Sequence, residues 1–186
     1  MIATTDLKND HIVVRRLGTI VQKCSDKLYN NEEIPFEDIE IISVIIEEFV
    51  DRFHHGKEEQ AYFPETKSKD NFGEDIRKFL IEHELGRRIA RMLRRHLNSW
   101  KKGVDSREPV ARFLKSYTVF ISDHTGKEDK FFDLVEEKQS ISEEEDMLLI
   151  KHYESCRNQA GGKIRMDQML KLIDYLETKR WAKGSE

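Results

Sequence analysis

Twice the chain sets a histidine four residues before a glutamate in the same local phrase: HHGKEE from His54 and HTGKED from His124. On a helix, residues four apart lie one above the other on a single face, about 6 Å along the axis. Each phrase therefore points an imidazole and a carboxylate in the same direction. Both lie on apolar stripes, with Ile46, Phe49 and Phe53 leading into the first and Tyr117 and Phe120 into the second. An inward-facing glutamate is expensive unless it is paired or holds a cation. A fold for this chain must then bring two helices together around two imidazole–carboxylate pairs. The copy also resolves a doubling in the first phrase. Thr125 stands where His55 would be, so His54 and Glu58 form the inward pair. His55 and Glu59 are expected on the flank, behind that pair or in solvent.

Three- and four-residue apolar spacing runs through most of the rest. A first helix is expected from about Leu7 to Leu28, with Val14, Leu17 or Gly18, and Val21 on its stripe. NNEEIPFED breaks it, with Pro35 placed to open a second helix that carries Ile39, Ile42, Ile46, Phe49 and Phe53 and ends near Pro64. A third runs from Glu74 to Trp100 with Ile76, Leu80, His83, Arg87 and Ala90 in phase. Gly103 and Pro109 punctuate KKGVDSREP before a fourth, which carries Phe113, Tyr117, Phe120, His124, Glu128 and Phe131. The expected fold class is all-α, an up-down-up-down four-helix bundle over residues 1–138. Residues 139–186 are expected to add two C-terminal helices packed outside it. Ser142 and Glu145 make a capping box for the first of these, Gly161 and Gly162 end it, and Met166 to Trp181 forms the second.

Charge narrows the function. The chain has 32 basic and 36 acidic residues among 186, a net charge of −4, which argues against a general nucleic-acid footprint. The basic run RRIARMLRRH from Arg87 reads as a solvated helix face. No leader-like apolar core opens the sequence, and the longest apolar patch, IISVIIEEFV, is interrupted by glutamates, so no membrane span is expected. Cys24 and Cys156 are isolated, which fits a reduced, cytoplasmic protein.

Two more histidines share the inner faces: His11, in phase with Val14, Gly18 and Val21, and His83 on the third stripe. One histidine per helix with two carboxylates suits iron, and manganese or zinc also fit. Ferritin-like di-iron proteins use glutamate first and histidine three residues later, an order absent from both phrases. The zinc-peptidase pattern H-E-x-x-H begins at His83-Glu84 but meets Arg87 at its last position.

With His11, the HxxxE of His54 and Glu58, the HE with downstream arginine at His83–Arg87, and the HxxxE of His124 and Glu128, the chain resembles the hemerythrin-like family, the HHE cation-binding domain, over about Leu7 to Glu136. The resemblance implies a non-haem centre of two iron ions held by His11, His54, Glu58, His83, His124 and Glu128, with the glutamates as bridges. It implies binding of O2, peroxide or nitric oxide in carriage, sensing or stress response, with binding favoured over catalysis. Enzymatic consumption of peroxide or reduction of nitric oxide or O2, and iron storage, are the alternatives. A homodimer is left open. The O2 carriers have a second histidine at the position of Arg87, where this chain departs from them. They also place an aspartate ligand at an offset that Asp129 fits, but Glu128 matches the internal copy and is preferred as the ligand. Tyr117, His55, Glu59, Arg87 and Asp129 are candidates for supporting the ligands from behind. Gly56 and Gly126 each cost about 1 kcal/mol inside a helix, which points to close helix approach there.

Overall fold

The computed structural model describes residues 1–183, and no strand occurs among them. Helix α1 spans Ile2–Tyr29. The second rod is continuous but changes character: α2 covers Phe36–Ile45, π-helical turns follow over Ile46–His55 and Glu58–Tyr62, and α3 finishes it at Phe63–Thr66. Helices α4 (Gly73–Lys101) and α5 (Arg107–Glu137) complete a bundle of four rods. The sequence places the end of the second rod near Pro64, yet the chain passes it and makes one more turn. Pro64 falls where the π-helical turns pass into α3, at the change of hydrogen-bonding register.

Polar contacts between rods fix the up-down-up-down order. Asp10 meets His54 and Asp6 meets Lys57, so α1 and the second rod are antiparallel. Asp51 meets Arg87 and Glu40 meets Lys101 between the second rod and α4, while Glu82 meets Lys127 between α4 and α5. The bundle closes where Ser25 donates to the Ala111 carbonyl and His11 meets Asp129.

On α4 the buried stripe is Ile76, Phe79, His83, Gly86, Leu93 and Leu97, whereas Leu80 is exposed and Arg87 lies at the edge. The 3.6 period allows either 79 or 80 to follow 76, and contact with Phe63 and Phe131 selects Phe79. Gly126 has open space around it and Gly56 has room for a Cβ in ordinary contact, so close approach explains neither. Gly86 is the glycine that a close approach demands. A Cβ there would sit 2.5 Å from the Phe120 ring.

Helix α6 (Glu143–Gln159) opens on the capping box of Ser142 and Glu145, and α7 (Gly162–Thr178) begins at Gly162, ahead of the expected Met166. Neither is peripheral to the packing. Asp146 of α6 accepts hydrogen bonds from the first backbone N–H groups of α1, at Ile2 and Ala3. Met166, Met169, Ile173 and Leu176 of α7 join the core formed by α1, α2, α4 and α5.

The core is divided. One apolar cluster contains Val14, Phe49, Phe53, Leu93 and Ile121, and a second contains Leu7, Ala61, Phe79 and Phe131. On every rod the histidines lie between residues of the two clusters. A buried polar layer crosses the bundle there.

Candidate metal centre

Seven side chains build that layer: His11, His54, His55, Glu58, His83, His124 and Glu128, each buried. Glu128 is at its middle. One of its oxygens lies 3.2 Å from the Nε2 atoms of both His83 and His124, and the other lies 3.3 Å from the Nε2 of His11. Glu58 faces it, 3.6 Å from His54 Nε2 and 3.4 Å from His83 Nε2. The donor atoms fall into two groups, each within 4.8 Å: His11, His54, Glu58 and Glu128 in one, and His55, His83 and His124 in the other.

Four of the histidines are held from behind by a carboxylate at Nδ1. Asp129 lies 2.7 Å from His11, Asp10 3.3 Å from His54, Glu59 2.7 Å from His83, and Glu82 2.8 Å from His124. Such a partner fixes the proton on Nδ1, turns the Nε2 lone pair inward and makes it a stronger donor. Arg87 in turn holds Glu59 and Asp51 at 2.7 Å each, which places its guanidinium one layer further out. Tyr117 sits in the apolar cluster against Phe120, whose ring lies parallel to that of His124 with centroids 5.2 Å apart.

The inward atoms are left without partners. His11 Nε2, His54 Nε2, His124 Nε2, both oxygens of Glu58 and one oxygen of Glu128 are buried and make no hydrogen bond. An orphaned polar atom in a core costs roughly 1–3 kcal/mol. So many in one place fit a site whose missing partner is a cation. Burial first, and then the negative Glu128, push the Glu58 carboxyl well above its ordinary range. Burial holds His54 and His55 well below theirs, keeping both neutral and able to donate a lone pair. Burial also acts to lower His11 and His83, but the carboxylates beside them, Asp129 and Glu128 for His11 and Glu128 and Glu59 for His83, leave both raised.

Residues 3–135 match the hemerythrin HHE cation binding domain. The chain belongs to that family. No curated protein and no solved structure matches it. Membership and the two donor clusters together make this a metal-cation-binding bundle. No helix among the described residues is long and apolar enough to cross a membrane.

Sequence reasoning about the HHE centre missed three things. His55 is not on the flank: it is buried in the layer, stacked on His83 with ring centroids 3.9 Å apart. The expected placement put only one of two adjacent residues inside, whereas on both rods the motif histidine and the residue after it are buried, His54 with His55 and His124 with Thr125. Asp10 and Glu82, the carboxylates behind His54 and His124, carried no sequence signal beyond their helical phase. Lys57 is fully buried although its twin Lys127 is not, because α6 covers the outer side of the second rod.

Proposed function

We propose that this HHE bundle holds two iron ions, with His11, His54, Glu58, His83, His124 and Glu128 as ligands and both glutamates placed to bridge. The observation that carries the reading is the set of inward-facing orphaned atoms on His11, His54, Glu58, His124 and Glu128, backed by four carboxylate–histidine pairs. Imidazole with bridging carboxylate suits iron, and manganese or zinc are the competing occupants. When bound, reduced iron would supply reversible electron exchange with O2, peroxide or nitric oxide.

The chain's own part is to prepare that chemistry. Asp129, Asp10, Glu59 and Glu82 orient the rings, and Glu58, once deprotonated, would serve as a carboxylate ligand. Phe53, Phe63, Phe79, Phe120 and Phe131 exclude water on both sides of the layer. We read the role as small-molecule binding and sensing or stress response in the cytoplasm, carried by residues 1–138, with 139–186 as a helical extension. The test is metal analysis of the purified protein with an optical spectrum before and after O2. Two irons per chain and a reversible spectral change support the reading. Zinc alone, or rapid turnover of peroxide under a supply of reductant, would move it to another class.

A further inference from the structure

We infer that His55 is itself a metal ligand, completing a three-histidine position with His83 and His124. The inference rests on the two-metal reading above and adds a residue to it. His55 is buried, and neither of its ring nitrogens has a hydrogen-bond partner. A neutral imidazole carries one donor and one acceptor, so as a mere core residue it would leave both unsatisfied. Its donor atom lies within 4.8 Å of those of His83 and His124, a grouping separate from the one formed by His11, His54, Glu58 and Glu128. Its ring is parallel to that of His83, at 14°, and perpendicular to that of His124, with centroids 3.9 Å and 5.6 Å away.

The surroundings follow the other four histidines in arrangement, though with a longer contact. Asp51 lies 3.6 Å from His55 Nδ1, the side on which each of the others has its carboxylate. Arg87 fixes Asp51 at 2.7 Å, and the same guanidinium fixes Glu59 behind His83, so one cation sets two of the three rings. The equivalent position of the twin phrase makes the contrast. Thr125 satisfies its hydroxyl on the Ile121 carbonyl of its own helix and needs nothing from the site. Thr125 is buried as well, so what sets His55 apart is a pair of buried ring nitrogens that its own helix does not satisfy.

The centre then has two unequal positions. One has three histidines, and the other has His11 and His54, with Glu58 and Glu128 between them. The test uses the full chain loaded with zinc, a diamagnetic ion, and long-range proton–nitrogen NMR of its seven histidines. We expect five rings to take the shifts of zinc-bound nitrogen, His55 among them. Four bound rings with two zinc ions, and His55 unshifted, would overturn the inference and leave the two-metal reading intact. No stoichiometric zinc uptake would overturn both. In parallel, His55→Ala should hold one zinc in place of two by native mass spectrometry, and added imidazole should restore the second. Retention of two zinc ions at unchanged affinity in H55A would overturn it.

Discussion

The two HxGKE phrases are near-copies in sequence and unequal in structure. On α5 the phrase is α-helical, Lys127 is exposed to solvent between Glu82 and Asp123, and Thr125 turns back on its own helix. On the second rod the phrase spans π-helical turns, six successive residues from Phe53 to Glu58 are buried, and Lys57 is sealed between Asp6 and Asp10 under Tyr153. Glu58 and Glu128 face each other but differ in support. Glu128 is surrounded by His11, His83 and His124, which with burial opposing them hold its carboxyl well below the ordinary range. Glu58 makes no hydrogen bond and is pushed the other way. A shared motif therefore sets which atoms face inward, while backbone pitch and covering helices decide what each atom meets.

One correspondence survives the asymmetry. Glu59 and Asp129, each five residues after its motif histidine, reach across to a histidine on a neighbouring helix, His83 and His11 respectively. The copies thus support each other's side of the layer.

The largest test of this comparison is to remove each glutamate. Glu58→Ala and Glu128→Ala should both abolish uptake of two metal ions, read by metal analysis after dialysis. In metal-free protein they should part company. Glu128→Ala removes the carboxylate that the Nε2 atoms of three histidines share and should cost about 3–5 kcal/mol, the range for breaking a buried charge network. Glu58→Ala should cost clearly less in the same denaturant titration. Equal losses would mean the two carboxylates are interchangeable.

Next come the lysines. Lys57→Met strips the buried counter-charge from Asp6 and Asp10 and should also cost about 3–5 kcal/mol. Lys127→Met, at an exposed position, should stay within about 0.5 kcal/mol. Thermal melts of the two variants side by side decide this, and similar midpoints would show that α6 does not seal the second rod.

Proton linkage sharpens the contrast between the glutamates. Glu58 has a raised pKa in the metal-free fold, so it holds a proton over a range where an ordinary glutamate has lost it, and a bridging role requires that proton to leave. Metal affinity should therefore weaken as pH falls, with protons released on binding. Calorimetry in buffers of different ionisation enthalpy measures the release, and a pH-independent affinity would contradict it. A smaller effect is expected at Gly86. Gly86→Ala drives a methyl into Phe120, which lies against His124, and should cost about 1–3 kcal/mol by overpacking. The smallest concerns the supports across the layer: Glu59→Gln and Asp129→Asn should each weaken metal binding roughly 10–100-fold with little change in fold stability. An effect from only one of them would break the correspondence between the copies.

Residue spacing was enough to show the helical class, the four rods and six of the seven histidines and glutamates that are buried in the polar layer. Helical phase is a local property, and a four-residue offset on an apolar stripe has only one place to point. It also marked Glu59, Asp129 and Arg87 as near neighbours of the site, without telling which ring each carboxylate would hold. Tertiary structure alone decided three things. Packing of the neighbouring helices put His55 inside, because residue spacing does not say whether a residue at the edge of a stripe will be covered. The antiparallel register of α1 against the second rod, and of α4 against α5, placed Asp10 behind His54 and Glu82 behind His124. Docking of α6 buried Lys57, since burial from outside depends on a segment about a hundred residues away in the chain. Each of these depends on where neighbouring helices stop and cross, which no periodicity within one helix encodes.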